Sequence, residues 1–459
     1  MLFTDTIAAI ATPIGSSSIG VIRISGPLSM TIASTLSQKD QSDLRNHSAI
    51  FSILIDPFSG VELDDAVLTT FRAPASYTGE DIIEISCHGS IPILRTVLNA
   101  VLACGSRLAE PGEFTKRAYV NGKLDLSQAE AVNDLIRSRT EGSRRSALNQ
   151  LHGGLSRRLA QVDKNLLGLL AAIEASIDFP DDVDEPESSW VMEQIALCKH
   201  ELDSLESTFL GGKILKEGAR VVICGSVNVG KSSLLNALLK RERAIVTPIP
   251  GTTRDLIEEG LEIKGIPITA IDTAGIRDTS DPVESAGLDM AINTIRQADL
   301  VLLVMDASRM PVDSDVEAVL RTEPDRCILV INKTDIACNG SIDACKELIN
   351  TRIATGIPEV RVSAAAETGI EDLESHIYNK LTAGIAIESV VVTNARHHQA
   401  LIAGIAALQR VQKGMNLGDP LDLLCIDIVD ARRQVGLITG ETVGEDVLES
   451  IFSQFCIGK

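Results

Sequence analysis

The stretch Gly225-Ser-Val-Asn-Val-Gly-Lys-Ser232 directly follows the apolar run Val221-Val-Ile-Cys224. The apolar run predicts a buried strand, and the glycine-rich turn after it predicts a phosphate-binding loop that opens a helix. In such a loop the backbone N–H groups point at an anion, the Lys231 ammonium reaches the terminal phosphates, and the Ser232 hydroxyl suits a magnesium ion. The predicted nucleotide ligands here are Asn228, Val229, Gly230, Lys231, Ser232 and Ser233.

Later motifs identify the nucleotide as GTP. In Asp272-Thr-Ala-Gly275, the Asp272 carboxylate suits magnesium through water, and the Gly275 N–H suits the γ-phosphate. In Asn332-Lys-Thr-Asp335, the Asp335 carboxylate accepts from the guanine N1 and N2 hydrogens, which adenine cannot offer. Ser363-Ala-Ala365 is expected to present N–H groups to the guanine oxygen. The predicted guanine-side ligands are Asn332, Lys333, Asp335, Ser363 and Ala364.

Strand candidates alternate with helical patterns between residues 217 and 382, which is typical of a parallel sheet wound on both faces. We therefore predict an α/β domain of the Ras-like P-loop type, with its motifs at the carboxyl ends of the strands. The strand candidates are Val221–Cys224, Ile268–Asp272, Leu300–Asp306, Cys327–Asn332 and Val360–Ser363.

A switch loop is predicted at Thr247-Pro-Ile-Pro-Gly-Thr-Thr-Arg-Asp255, between the phosphate loop and Asp272. Either Thr252 or Thr253 in it can reach magnesium. Thr247, Thr252 and Thr253 are therefore counted among the predicted GTP ligands.

The residue after Gly275 is Ile276, where signalling GTPases carry a glutamine that orients the attacking water. An isoleucine cannot polarise water, so hydrolysis needs an acceptor from the following loop. Positive charge at the β–γ bridge can come from a nearby arginine or from a bound monovalent cation. The acidic candidates are Asp278, Asp281 and Glu284, and the nearby arginines are Arg254 and Arg277.

The rest of the chain divides into an α+β part and a helical part. Residues 1–120 carry short β-rich runs, Gly20–Ser25 and Asp81–Ser86, joined by a helical stretch around Ile91–Leu102. Residues 121–216 and 383–459 read as helices. We expect these two helical parts to pack together, because residues 383–459 are too few for a core of their own. The GTPase domain is then an insertion in a helical domain.

The first helical part has a single apolar stripe and two predicted breaks. The stripe recurs at spacings of three and four residues. The acidic segment Phe179–Pro186 interrupts the helices, and a second run, Val191–Leu210, ends at the predicted break Gly211-Gly212. In the second part, Ala400–Val411 and Leu421–Val435 are predicted helices. The stripe consists of Leu155, Leu159, Val162, Leu166, Leu169 and Ile173.

Composition limits the function classes. The 459 residues carry a net charge of −21, which argues against a protein that coats nucleic acid by charge alone. The nine cysteines include no Cys-x-x-Cys pair, which is typical of a reducing cytoplasm. No N-terminal signal pattern and no apolar run of about 18 residues is found. We expect a soluble cytoplasmic protein without a membrane segment.

With these motifs in view, the chain resembles the tRNA-modifying GTPase family MnmE, also called TrmE, from end to end. The segments specific to that family are Asp5–Pro13, Gly20–Arg23, Tyr77–Asp81, Pro111–Arg117, Lys123–Glu130, Ile177–Pro180 and Phe455–Lys459. The resemblance implies an N-terminal folate-binding domain that dimerises, a discontinuous helical domain and an inserted GTPase domain. One departure is Ile14-Gly-Ser-Ser-Ser18, where the family more usually has Pro-Gly-Arg-Gly-Gly.

The resemblance also implies an activity and its partners. The family acts as a homodimer with a flavin-dependent partner of the MnmG (GidA) type, in a heterotetramer, on tRNA. It installs an aminomethyl-type group on carbon 5 of the wobble uridine, with 5,10-methylene- or 5-formyl-tetrahydrofolate as the one-carbon source. Potassium promotes dimerisation of the GTPase domains and hydrolysis.

Site residues follow from the matching motifs. The resemblance implies Ser232 and Thr253 as magnesium ligands and Glu284 as the acid that orients water. It also implies that Cys456 is a reactive or site-lining thiol. The implied potassium ligands are Asn228, Thr247, Ile249 and Thr252, and the implied folate ligands are Arg23, Glu84, Lys123 and Lys459.

Two other functions compete with this interpretation. A ribosome-assembly GTPase shares the nucleotide motifs, but such proteins append basic RNA-binding modules, and this acidic chain has none apparent. A structural protein that holds GTP only to stabilise its fold is the other alternative, and it differs in lacking turnover.

Overall fold

The computed structural model describes residues 4–241, 257–272, 293–316, 323–384 and 392–459. Its contacts divide the chain into two compact units, the first Met1–Asn133 with Val435–Lys459 and the second Asp134–Gln434. The predicted domain boundaries after residues 120, 216 and 382 stay predictions. In the described ranges, no helix is both long enough and apolar enough to cross a membrane.

The helices and strands are numbered in chain order. The helices are α1 Ser29–Ser37, α2 Ile91–Ala103, α3 Glu113–Val120, α4 Leu126–Arg137, α5 Glu141–Leu151, α6 Gly154–Asp178, α7 Ser188–Ser207, α8 Phe209–Glu217, α9 Lys231–Arg241, α10 Ser341–Arg352, α11 Ile370–Thr382, α12 Ala395–Leu417, α13 Leu421–Thr439 and α14 Glu445–Phe452. The strands are β1 Ile7–Ile10, β2 Ser17–Ser25, β3 Ser48–Ile55, β4 Glu62–Phe71, β5 Ile82–Gly89, β6 Arg107–Leu108, β7 Ala219–Cys224, β8 Ile257–Ile263, β9 Ile266–Asp272, β10 Leu300–Asp306, β11 Cys327–Asn332 and β12 Glu359–Arg361.

The first unit contains a six-stranded sheet in the order β3-β4-β5-β2-β1-β6. Its strands pair antiparallel except β6, which runs parallel to β1. Along β5, Ile83 and Ile85 are buried against α1 and α2, while Glu84 between them points to the other face. Register pairs Glu84 with Arg23 of β2. Strand alternation thus places two predicted folate ligands side by side.

The C-terminal residues of the first unit return to this sheet. Gly112, at φ +68°, lies so close to α14 that an added Cβ would be 2.7 Å from the Phe452 carbonyl oxygen. At Gly458, with φ +95°, a Cβ would be 2.5 Å from the Ile10 carbonyl oxygen. Both positions need glycine, because both the backbone conformation and the space exclude a side chain. These contacts hold the end of the chain beside Arg23.

The second unit contains the predicted helical bundle. The whole predicted stripe of α6 is buried, and α6 ends at Asp178, just before the predicted interruption. Helix α12 packs along α7, and the Arg432 guanidinium of α13 donates to Asp163 of α6 at 2.7 Å. Helices α12 and α13 thus pack on the earlier helices as predicted, whereas α14 packs on α3 in the first unit.

The predicted break at Gly211-Gly212 is wrong. Both glycines lie inside α8 and are buried. A Cβ on Gly212 would be 1.9 Å from the Val392 carbonyl oxygen, so the pair permits close backbone packing. The glycines that resembled a linker serve a tertiary contact instead.

The second unit also contains the sheet predicted for the GTPase domain, with the strand order β12-β11-β10-β7-β9-β8. Strands β7, β9, β10, β11 and β12 are parallel, and separate apolar clusters cover the two faces. The predicted doubly wound fold is confirmed. Strand β8 was not predicted, and it pairs antiparallel with β9.

The β8–β9 hairpin ends in a tight turn at Lys264 and Gly265, both with positive φ. The turn lies against the start of α5. The Thr140 hydroxyl donates to the Gly265 carbonyl oxygen at 2.7 Å, and a Cβ on Gly142 would be 2.5 Å from that oxygen. The hairpin tip is thus seated on the first turn of a helix.

Candidate functional site

The phosphate loop, Gly225–Gly230, connects β7 to α9 and lies against the neighbouring strands. A Cβ on Gly225 would be 2.3 Å from the Val304 carbonyl oxygen, and one on Gly230 would be 2.3 Å from Asn332 Nδ2. Gly225 has φ +147°, Gly230 has φ +96°, and Asn228 has φ +65°. Glycine tolerates such backbone, and asparagine tolerates it better than most residues. The sequence of the loop therefore matches its shape.

Asn332 and Lys333 hold the second half of the loop from β11. Asn332 Nδ2 donates to the Val229 carbonyl oxygen at 2.9 Å, and Lys333 Nζ donates to the Asn228 carbonyl oxygen at 2.7 Å. Lys333 also pairs with the buried Asp306 at 2.6 Å. Burial alone would raise the pKa of the Asp306 carboxyl, but the hydrogen bonds from Lys333 and Ser308 outweigh it and hold the pKa below its ordinary value.

The predicted guanine side is linked to the same asparagine. Asn332 Oδ1 accepts from the Ala364 N–H at 3.1 Å, so that N–H is engaged within the protein. Ser363 is buried, and its hydroxyl accepts from the Ala366 N–H at 3.1 Å. Asp335, by contrast, is exposed, which leaves its carboxylate open to a ligand.

A cavity of about 450 Å³ borders these elements, between α9 and the loop after β12. Three of the residues that line it are the predicted ligands Ser233 and Ala364, and Ala365, the residue after Ala364. The hydrogen bonds of Asn332 and Lys333 bring the phosphate loop and the residues after β11 and β12 to one edge of the sheet, as predicted for parallel strands.

Lys231, Ser232 and Asp272 meet at the start of α9. Lys231 is buried, and its ammonium donates to the carbonyl oxygens of Gly225 at 3.1 Å and Ser226 at 2.9 Å. The Ser232 hydroxyl donates to Asp272 Oδ2 at 2.7 Å. A hydroxyl beside a carboxylate at a phosphate loop is an oxygen donor set of the kind that suits magnesium. The residues present therefore fit that ion.

Several predicted site residues lie outside the described residues, and their roles stay predictions. They are Thr247, Ile249, Thr252, Thr253, Arg254, Gly275, Ile276, Arg277, Asp278, Asp281 and Glu284.

Sequence reasoning missed three side chains that support the phosphate loop. Asp306 ends β10 at the carboxyl edge of the sheet, which is a signal that could have identified it. Ser226 is part of the phosphate-loop motif, but its hydroxyl donates to Asp315, which the motif does not include. No local pattern marks Asp315, because it is joined to Ser226 only by the fold.

In the first unit, Arg23 and Glu84 form an ion pair on the sheet face opposite the core. Arg23 Nε and Nη2 lie 2.9 Å and 2.7 Å from Glu84 Oε1. The guanidinium lies 5.8 Å from the Tyr77 ring centre and 5.7 Å from that of Phe114. It also donates to the Gly458 carbonyl oxygen at 3.3 Å. Arg23 is thus fixed among two rings, a carboxylate and the C-terminal segment.

The other predicted folate ligands lie around this pair. Burial and then the charge of Arg23 lower the pKa of Lys459, against the opposing effect of Glu84. Lys123 Nζ donates to the Pro74 carbonyl oxygen at 2.9 Å, at the start of the loop that carries Tyr77. Lys459 directly follows Gly458, whose carbonyl oxygen accepts from Arg23, and Lys123 is bonded to the adjoining loop.

Cys456 is exposed in the C-terminal segment of the first unit. Its carbonyl oxygen accepts from the Gly112 N–H at 3.4 Å. The Lys459 N–H donates to the same carbonyl oxygen at 3.4 Å. The thiol is thus accessible and lies in the short segment that ends at Lys459.

Comparison with known proteins extends over the whole chain. A family model described as the GTP-binding protein TrmE N-terminus matches residues 6–123, and one described as the MnmE helical domain matches residues 126–456. The tRNA modification GTPase MnmE of Acetivibrio thermocellus is 42% identical over 460 residues, which is 99% of this chain and 99% of the relative. That of Desulforamulus reducens is 44% identical and covers 100% of both chains.

Among solved structures, the G domain of the T. maritima FeoB iron transporter is 28% identical over the matched part. The match covers 35% of this chain and 98% of that domain, with a TM-score of 0.26. The likeness is restricted to one part of the chain and is too weak to carry a conclusion.

Proposed function

Because the chain belongs to the MnmE family of tRNA modification GTPases, we propose that its GTP hydrolysis serves modification of carbon 5 of the tRNA wobble uridine. The product carries an aminomethyl-type group. The one-carbon unit comes from 5,10-methylene- or 5-formyl-tetrahydrofolate, and the reaction is shared with a flavin-dependent protein. The observation that carries this proposal is that one chain contains both the phosphate loop with Lys231 and Ser232 and, in its other unit, the Arg23–Glu84 pair.

The nucleotide site supports GTP as the substrate. Asn332 and Lys333 hold the phosphate loop from one side, and Asp335 stands exposed three residues beyond Asn332. An exposed carboxylate at that position accepts from the guanine base and rejects adenine. Lys231 then supplies a positive charge to the phosphates from its place over the loop.

Two cations complete the proposed nucleotide site. Magnesium would be held by Ser232 and Thr253, with Asp272 beside Ser232 at 2.7 Å. Potassium would be held by Asn228, and by Thr247, Ile249 and Thr252 in the predicted switch loop. Potassium supplies the positive charge that an arginine gives in other GTPases. Glu284 is the proposed orienting acid for water, since Ile276 cannot fill that role.

The folate site is proposed around Arg23. Its planar guanidinium suits a carboxylate of the folate glutamate tail, as do the ammonium groups of Lys123 and Lys459. Glu84 can accept from the amino-pyrimidine edge of the pterin. The rings beside Arg23 and the partly buried Lys459 support a pocket that excludes some water.

The proposed assembly is a homodimer joined by the flavoprotein in a heterotetramer that acts on tRNA in the cytoplasm. A net charge of −21 opposes independent binding to RNA phosphates, so the tRNA contact is shared with the partner. The acidic balance also disfavours a ribosome-assembly role.

Mass analysis of wobble nucleosides tests the proposal. Cells that lack this protein are expected to accumulate wobble uridine without the carbon-5 aminomethyl group, and the wild-type gene is expected to restore it. A variant with Lys231→Ala serves as the control that keeps the chain but removes nucleotide binding. An unchanged nucleoside profile in the deleted strain contradicts the proposal.

A further inference from the structure

The first half of the phosphate loop is attached to the segment that follows β10. The Ser226 hydroxyl donates to Asp315 Oδ1. Asp315 closes the 3-10 turn Asp313–Asp315 and is only 3% exposed. This contact joins residues 89 positions apart in the sequence.

Asp315 is held from the other side by an arginine and a backbone group. Arg309 Nη1 and Nη2 donate to the two carboxylate oxygens at 3.0 Å and 2.7 Å, and the Val312 N–H donates at 2.9 Å. Burial alone would raise the pKa of Asp315, but the bonds from Arg309 and Ser226 outweigh it and lower the pKa. The carboxylate is therefore ionised, and the bidentate arginine offsets its charge.

We propose that Asp315 is a positioning residue for GTP: through the Ser226 hydroxyl it fixes the first half of the phosphate loop in the conformation that receives the phosphates. The second half is fixed separately, by Asn332 at Val229 and Lys333 at Asn228. The loop is thus held by hydrogen bonds on both sides of the exposed residue Val227.

The Ser226–Asp315 hydrogen bond is expected to matter most when nucleotide is bound. In this structure Lys231 also holds the first half, through the carbonyl oxygens of Gly225 and Ser226. When the Lys231 ammonium turns to phosphate, those two bonds weaken, and the Ser226 hydroxyl remains as a side-chain anchor. Arg309 has a second role, because an uncompensated carboxylate beside the loop would repel the phosphates.

Ser226→Ala is the direct test. Loss of a hydrogen bond to a charged acceptor is expected to raise the Kd of a non-hydrolysable fluorescent GTP analogue about tenfold. Turnover should show a raised KM for GTP with kcat at saturation unchanged, because the bond acts on ground state and transition state alike. Ser226→Thr keeps a hydroxyl and should bind the analogue like the wild-type protein.

Two carboxylates in one turn supply a matched pair of variants. Asp315→Asn replaces the charged acceptor of Ser226 by an amide that also pairs poorly with Arg309, so the contact with Ser226 is lost and binding should weaken. Asp313→Asn removes an exposed ion pair with Arg352 and should change nothing in binding. The double variant Ser226→Ala/Asp315→Asn should bind no more weakly than the weaker single variant, because both changes break the same contact.

The outcomes separate a positioning role from a merely structural one. The proposal is overturned if Ser226→Ala binds the analogue as tightly as wild type, or if Ser226→Thr is as weak as Ser226→Ala. It is also overturned if the effects of Ser226→Ala and Asp315→Asn simply multiply in the double variant. Since Ser226 is partly exposed, Ser226→Ala is expected to fold even where Asp315→Asn does not.

Discussion

Replacing Gly230 by alanine is expected to weaken GTP binding about a hundredfold or more. An added Cβ would lie 2.3 Å from Asn332 Nδ2, so the asparagine must move. Asn332 then loses its bond to the Val229 carbonyl oxygen, at 2.9 Å, and the bond it accepts from the Ala364 N–H, at 3.1 Å. One substitution thus detaches both the phosphate loop and the guanine-side loop.

The magnitude follows from these contacts. Each lost hydrogen bond costs about 1 kcal/mol net. The backbone of Gly230, at φ +96°, costs an alanine about 1 to 2 kcal/mol more. The sum is about 3 to 4 kcal/mol. Because GTP binding must return the displaced loop to its wild-type conformation, this free energy is lost from binding, and the Kd for GTP rises about a hundredfold or more.

Gly340→Ala is the matched control. Gly340 has φ +78°, but no atom lies within 4 Å of its added Cβ. It therefore reports the backbone cost alone. Titration with a fluorescent GTP analogue and calorimetry of both variants measure the two effects. Binding by Gly230→Ala at wild-type strength, or equal loss of binding by Gly340→Ala, would refute the steric argument.

Three further predictions concern hydrolysis, folate and pH. Glu284→Ala should abolish most GTP turnover in potassium buffer while the analogue still binds; normal turnover removes the proposed role. Arg23→Lys keeps the charge but loses the planar guanidinium between the Tyr77 and Phe114 rings, so tetrahydrofolate binding measured by calorimetry should weaken about tenfold, with GTP binding unchanged as the control. The pKa of Asp306 is lowered in the folded chain from 3.8, so its contribution to stability is complete above that pH and is lost as pH falls through the folded value. Asp306→Asn should therefore melt below wild type at neutral pH, and the gap should close in acid; a gap independent of pH contradicts the pairing with Lys333.

The architecture around the nucleotide was accessible from sequence because its signals are local. An apolar run followed by a glycine-rich turn identified β7 and the phosphate loop, and both are present. The predicted helix Ala400–Val411 was too short. Its true ends carry recognisable caps, since the Asn394 side chain accepts from the Arg396 N–H and Gly418 has φ +76°.

What sequence did not reveal depends on distant partners. Strand β8 follows, along the chain, the region interpreted as a switch loop, and only its antiparallel pairing with β9 identifies it as a strand. The Gly211-Gly212 pair was interpreted as a break because the backbone it packs against, at Val392, is far away in the chain. Asp315 is a turn residue with no pattern of its own until Ser226 is placed beside it.

The β8–β9 hairpin connects the nucleotide site to helix α5. Its two strands pair from Ile257 with Asp272 at one end to Ile263 with Ile266 at the other, so the hairpin is about 20 Å long. Along the chain, the predicted switch loop precedes the hairpin, and the motif Asp272-Thr-Ala-Gly275 follows it. Both segments join the hairpin at its Asp272 end. The opposite end rests on Thr140. Because β9 is also paired with β7, the hairpin and the parallel sheet form one rigid element, and the Thr140–Gly265 contact joins that element to the first turn of α5.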